Sequence, residues 1–256
     1  INDIVRLGKP SIINCEFIKA SILKCIELES KTSASAIVTN PINKNIMYKS
    51  GFKYSGHTEF LASHSKKNTQ PVMMLVVQDL KTVPLTIHVP ISEVSGLISK
   101  ELIINTVKIV AKDLTKYFGI KKPIIFITGL NPHAGENGEI GSEEQNIIIP
   151  TIRKIKKSND FEIQGPFSAD ALFSSEARKT YDVVICMYHD QALIPIKTID
   201  FNKGVNVTLG LDFIRTSPDH GTGFDIAGKN NARPDSLIAA INLAYFMSVN
   251  KDRSSN

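Results

Sequence analysis

The stretch Asp182-Val-Val-Ile-Cys-Met187, followed at once by Tyr188-His189-Asp190-Gln191, decides the fold. The apolar run reads as a buried strand. It breaks into polar, ligand-type side chains, and a strand ending that way is where an open α/β sheet places its binding crevice. Downstream, Lys197, Asn206 and Arg215 follow at intervals of nine residues. The stretch closes with Asp219-His220-Gly221-Thr222-Gly223-Phe224-Asp225-Ile226-Ala227-Gly228-Lys229. A fixed cation in such a crevice suits a phosphate or a carboxylate.

Outward from that stretch, apolar runs alternate with helical periodicity. Asn14 to Ser30 reads as a helix with Phe17, Ile18, Ile22 and Ile26 on one face. Ala36 to Thr39 is a short strand, after which Pro41 is placed to open a helix. Val72–Val77 and Val83–His88 read as neighbouring strands, with Pro84 putting the second near an edge or its own start. Ile103, Val107, Val110, Leu114 and Tyr117 recur at helical spacing, and Gly119 stops that helix. Pro123–Thr128 is the clearest buried strand, and it opens into a long glycine-rich loop, 129–141. Ser142 with Gln145 makes a capping box for the next helix, which Pro150 should kink or end. Asp235 can cap a last helix from Leu237 to Met247. Strands alternating with helices predict an α/β fold with a largely parallel sheet.

With 256 residues the chain can bury a large core and is expected to form two lobes. Lysine and arginine number 30 against 25 acidic residues, a net charge of +5. The cations are scattered. The nearest basic run, Arg153-Lys154-Ile155-Lys156-Lys157, reads as a solvated helix face without a stacking platform, so no nucleic-acid partner is expected. Cys15, Cys25 and Cys186 form no Cys-x-x-Cys pair and are odd in number, which fits reduced thiols in a cytoplasm. Cys186 reads as packing. No apolar run approaches the length that spans a bilayer, and Ile1-Asn2-Asp3 shows no signal-peptide pattern. The start without Met suggests that chain precedes Ile1.

Of the six histidines, His64 reads as a solvated helix residue. His88, His133 and His189 each lie at or just beyond a strand end. In a parallel sheet those ends point to one side. Three imidazoles there can hold a divalent metal and leave a position open. Equally, they can be hydrogen-bonded loop residues or acid–base groups. The loop of residues 130–141 is neither a Walker A nor a Gly-x-Gly-x-x-Gly motif, so no Rossmann site is expected.

Eight segments together resemble the 4-hydroxythreonine-4-phosphate dehydrogenase family of pyridoxal phosphate biosynthesis. They are Thr39-Asn-Pro-Ile-Asn-Lys44, Gly56-His-Thr-Glu-Phe60, Gly129-Leu-Asn-Pro-His-Ala-Gly-Glu136, Ala169-Asp170-Ala-Leu-Phe173, Met187-Tyr-His-Asp-Gln191, Gly204-Val-Asn-Val-Thr-Leu-Gly210, Phe213-Ile-Arg-Thr-Ser217 and Asp219-His-Gly-Thr222. The loop through Lys229 is also similar to the nucleotide loop of isocitrate and isopropylmalate dehydrogenases. The resemblance implies their two-lobed α/β/α fold, with a mostly parallel sheet and a cleft between lobes. Residues 1–52 and 200–256 would form a cofactor-side lobe, and 53–199 a metal-binding and dimerisation lobe.

By matching position, the resemblance implies that His88, His133 and His189 ligate one divalent metal (Zn, Mg or Co). His57, Thr58, Lys197, Asn206 and Arg215 would hold a small phosphorylated hydroxy amino acid. His220, Gly221, Thr222 and Asp225 would line the NAD or NADP site. Candidate proton carriers are Asp170, Asp190 and Lys44, with Asp190 alternatively orienting an imidazole and Lys44 alternatively facing the phosphate. A cytoplasmic homodimer with a shared site is implied, catalysing oxidation with decarboxylation. Two other readings are a dehydrogenase of a related phosphorylated sugar acid, such as phosphothreonate, and a non-catalytic ligand-binding dimer. Two departures stand out. The family's opening segment, with its Gly-Asp-Pro-x-Gly-Ile-Gly-Pro-Glu motif, is absent. Ala192 also replaces a usual glycine, a substitution that costs about 1 kcal/mol if the position needs a positive φ.

Overall fold

One eight-stranded sheet runs through the protein, in the order β1-β8-β7-β2-β3-β6-β4-β5. Its strands are β1 Ala36–Val38, β2 Val72–Val77, β3 Leu80–Pro84, β4 Ile124–Thr128, β5 Glu162–Phe167, β6 Val183–Cys186, β7 Val205–Leu209 and β8 Ile214–Pro218. The helices are α1 Cys15–Lys31, α2 Lys44–Lys49, α3 His57–Ser63, α4 Ile91–Leu97, α5 Lys100–Phe118, α6 Ile149–Ile155, α7 His189–Ile199 and α8 Asp235–Arg253. This computed structural model describes residues 5–65, 70–157 and 160–253. Ile1, Asn2 and Asp3, which show no signal-peptide pattern, and Lys66 beside His64 lie outside the described residues.

Four strand pairings are parallel (β1/β8, β3/β6, β6/β4, β4/β5) and three are antiparallel (β8/β7, β7/β2, β2/β3). The fold is thus α/β with a mostly parallel sheet, and the antiparallel pairings fall in its middle. The continuous apolar runs of β2 and β6 follow from cover on both faces. Val72, Met74 and Val76 join one core with Val183 and Ile185, against α5 residues such as Ile103, Val107 and Leu114. Met73, Leu75 and Val77 join the opposite core with Val184 and Cys186, against Ala192 and Ile196 of α7. A third cluster packs Ile22 of α1, Ile37 of β1, Met47 of α2 and Phe60 of α3. Gly119 ends α5 in the left-handed conformation (φ 72°), as its position predicts.

Several local expectations are corrected. The second of the neighbouring strands is Leu80–Pro84, not Val83–His88. It is interior, between β2 and β6, and Pro84 closes it at its C-terminal end. Phe17 does not join the inward face of α1; it is half exposed, while Ile22 is buried. Pro41 opens no helix, because Asn43 caps α2 through its Oδ1, which accepts from Ile46 N at 2.9 Å. No Ser142–Gln145 capping box forms. A π-turn, Glu144–Ile148, leads into α6 without a side-chain cap. Pro150 then stands in the first turn of α6, where its missing N–H costs nothing, so the helix continues. Ala192 sits inside α7 and is not among the positive-φ residues, so no left-handed penalty arises.

Candidate active site

Three neighbouring parallel strands, β3, β6 and β4, end on the same side of the sheet. The chain beyond each carries one of His88, His189 and His133. His88 and His189 face each other, with ring centroids 5.8 Å apart. They line a cleft of about 220 Å³ together with Lys44, His57, Thr58, Glu59, Asn206, Arg215 and His220. The His88 imidazole titrates below its ordinary range. Burial is the main cause, and the positive charges of Lys44 and His189 add to it. A neutral imidazole is the form that ligates a metal.

Arg215, on β8, is 4% exposed. Its Nε and Nη2 donate to Thr39 Oγ1 at 3.2 and 2.8 Å, and its Nη1 donates to Thr208 Oγ1 at 3.0 Å. Two neutral hydroxyls therefore hold a buried cation, and among the described residues no carboxylate lies within ion-pair distance of it. Burial pushes its pKa down to about 10, with Glu59 opposing. A buried charge without a contacting counter-charge calls for one, and the open cleft is where an anion can supply it. Asn206 Oδ1 is likewise buried without a hydrogen-bond partner and borders the same space.

His57 opens α3. Burial, then the Arg215 charge, push its pKa from 6.5 down to about 4. The folded protein thus refuses a proton that the unfolded chain accepts. Stability from this group is full above pH 6.5, declines as the pH falls below 6.5, and is fully lost below about pH 4. The expected loss is about 3 kcal/mol, and urea denaturation at pH 7 and pH 4 measures it. His57→Gln should remove that part of the decline, and an unchanged pH profile in the variant would disprove the assignment.

Lys197 does not border the cleft, but its partner Asp219 does. Its ammonium pairs with the Asp219 carboxylate at 2.6 Å, donates to the Asp219 carbonyl at 2.6 Å and lies 4.9 Å from the Phe201 ring centroid. His133 is exposed, on the loop after β4, and does not border this cleft. Among the described residues no group of three His, Cys, Asp or Glu is gathered to hold a metal. Asp170 lies near His133, and its carboxyl is held below the usual range, chiefly by the Ser168 hydroxyl. Asp170 and Asp190 line a separate, mostly apolar groove with Phe173, Ile194 and Pro195. Asp190 Oδ2 is 3.5 Å from His189 Nδ1, a place from which it can orient that ring. The outer groove and the cleft therefore flank the same strand ends.

His220 bonds its own loop, Nδ1 to Gly221 O at 2.8 Å, and borders the cleft. Thr222 borders an adjoining cavity of about 650 Å³ that shares Pro41, Ile42 and His57 with the cleft. Its walls include Phe17, Ile18, Val38 and Phe224, and its size suits part of an elongated ligand. Gly221 and Asp225 border neither space. Sequence reading gave no role to Thr39, Thr208, Glu59 or Asp219. The two threonines were detectable as lone hydroxyls in apolar strands flanking an arginine strand. The Lys197–Asp219 pair had no local signal. Cys186 is fully buried with its thiol pushed well up, which confirms packing.

The family described as "Pyridoxal phosphate biosynthetic protein PdxA" matches residues 1–244. A 4-hydroxythreonine-4-phosphate dehydrogenase of Bradyrhizobium diazoefficiens is 50% identical over 247 residues, covering 95% of this chain and 71% of that protein. The crystal structure of a 4-hydroxythreonine-4-phosphate dehydrogenase from Klebsiella pneumoniae superposes with a TM-score of 0.86 at 34% identity, covering 95% of this chain and 74% of that one. One from Burkholderia phymatum gives a TM-score of 0.80 at 38% identity, covering 97% and 74%.

Proposed function

Because the chain belongs to the PdxA family, a family of oxidoreductases, we propose that it oxidises 4-phosphooxy-L-threonine (4-hydroxythreonine 4-phosphate) with NAD or NADP. The product ketone loses CO2 to give 3-amino-1-hydroxyacetone 1-phosphate, on the way to pyridoxine and pyridoxal 5'-phosphate. The observation that carries this reading is Arg215, a buried guanidinium held by Thr39 and Thr208 and open to the cleft beside two facing imidazoles.

Arg215, His57 and Thr58 take the phosphate end of the substrate. Asn206 Oδ1 offers an acceptor to a hydroxyl or ammonium of the same molecule. His88 and His189 of one subunit, with His133 of a second subunit, hold one divalent ion (Zn, Mg or Co). The donor set suits it: two imidazoles already face each other, one of them with its pKa lowered, and the third is exposed on the loop that follows the neighbouring strand β4. Held there, such an ion would supply Lewis acidity for oxidation and decarboxylation, and NAD or NADP would supply a hydride acceptor. Asp190 orients the His189 ring. The alcohol proton passes to Lys44, at the cleft mouth, or to Asp170, which arrives with His133 from the second subunit. Thr222, His220, Gly221 and Asp225 belong to the cofactor side, formed by residues 1–52 and 200–256. Residues 53–199 carry the metal and the dimer contact. The protein works as a cytoplasmic homodimer. Among the described residues no helix is long and apolar enough to cross a membrane.

The test is an absorbance assay of NAD or NADP reduction with 4-phosphooxy-L-threonine, after removal and return of each divalent ion. Activity that disappears with a chelator and returns with metal, with CO2 released in step, is the expected result. Faster turnover of a phosphorylated sugar acid lacking the amino group would replace this substrate with that one.

A further inference from the structure

We infer that Glu144 is the positioning residue for His133: its buried carboxylate fixes the left-handed turn on which that imidazole stands. The inference rests on the reading of His133 as a metal ligand. Six successive residues after Pro132 have positive φ: His133 51°, Ala134 51°, Gly135 79°, Glu136 40°, Asn137 56° and Gly138 104°. L-residues hold this conformation in series only under outside constraint. Glu144 supplies the constraint. It is fully buried. Its Oε1 accepts from Leu130 N at 2.8 Å and Asn131 N at 2.9 Å, and its Oε2 accepts from Asn131 Nδ2 at 2.9 Å. No Lys or Arg of the described residues lies within ion-pair distance of it.

The loop is wrapped directly on this carboxylate. A Cβ at Gly135 would stand 2.6 Å from Oε2, and one at Gly129 would stand 3.0 Å from Oε1. Glu143 backs the same contact: its Oε2 accepts from Asn131 Nδ2 at 2.8 Å and its Oε1 from Ser95 Oγ at 2.5 Å. The start of the loop is fixed as well. Gln191 Nε2 donates to Gly129 O at 3.0 Å, while its Oε1 accepts from Thr128 Oγ1 and Met187 N, both at 2.7 Å. The segment carrying His133 is therefore registered to the strand end that precedes His189. A buried, uncompensated carboxylate is an expensive way merely to reverse a chain. It does give one fixed exit direction to an exposed ring.

The experiment titrates Co2+ into the intact dimers of four variants and follows both affinity and the visible Co2+ absorption. Glu144→Ala is expected to bind Co2+ about 10- to 100-fold more weakly than wild type, as loss of a ligand-orienting partner does. Its absorption should shift as in His133→Ala. Glu144→Gln keeps an oxygen for the two backbone N–H groups and is expected to stay close to wild type. A Glu144→Ala dimer with a lowered melting temperature but wild-type Co2+ affinity would reduce Glu144 to a folding role and overturn the inference. Should Glu144→Ala fail to fold, Asn131→Ala carries the test: weaker Co2+ binding supports the inference and unchanged binding overturns it. Wild-type Co2+ affinity in His133→Ala would instead refute the ligand reading, and the inference with it.

Discussion

Mixing His88→Ala subunits with His133→Ala subunits is expected to restore activity that neither variant has alone. Each variant by itself removes one imidazole from every site of its homodimer, and turnover should fall about 100-fold or more as the Lewis acid is lost. After subunit exchange, a heterodimer has one site with His88 from one chain and His133 from the other, both intact. Its second site lacks both. With random pairing, half of the dimers are mixed and half of their sites are whole, so recovery should reach about a quarter of wild-type activity. The expectation follows from the placement of the rings: His88 and His189 face each other inside a cleft, whereas His133 is exposed outside it, near Asp170, which lines the outer groove. No recovery after exchange is verified by mass would mean that the triad is not divided between subunits.

Arg215→Met should lower kcat/KM by about 100- to 1,000-fold, mainly through KM, because the anionic end of the substrate loses its charged partner. The same substitution should leave the melting temperature unchanged or higher. The folded protein carries the cost of a guanidinium that is buried against hydroxyls only, and an apolar side chain of similar length removes that cost. The two readouts moving in opposite directions distinguish an anion site from a structural arginine. A normal KM, or a large loss of thermal stability with normal kinetics, would assign Arg215 to the core instead.

Much of this architecture was legible in the sequence where burial is two-sided. The runs at 72–77, 124–127 and 183–186 alternate their side chains between two apolar cores, so they had to be apolar throughout. α5 was legible for another reason: its stripe is regular, and Gly119 closes it. Local grammar failed where tertiary contacts decide. Pro84 is tolerated at the end of an interior strand because Leu85 N donates past it to Cys186 O at 2.7 Å, holding β3 to β6. Ser142 lost its capping role because Glu143 accepts its N–H and the following Glu144 is drawn inward.

The site divides along the same line. His88 and His189 face each other because β3 and β6 are neighbours, although β3 ends four residues before His88 and not at it. The direction of His133 was not legible, because it depends on a carboxylate eleven residues later in the chain. Lys197 was placed on the substrate, but its ammonium is bound to Asp219, a partner no spacing rule connects to it.

Arg215 lies on β8, opposite Thr208 of β7 and adjacent to Ile37 of β1, two residues before the threonine it grips. Three contiguous strands thus moor one guanidinium, and it can shift only if the sheet shifts. If Arg215 anchors the phosphate, ligands of different reach would be accommodated away from it, where Lys44 of α2 borders the cleft near His88. On that reading, tolerance for ligand length would be decided at α2, measured from a stationary arginine.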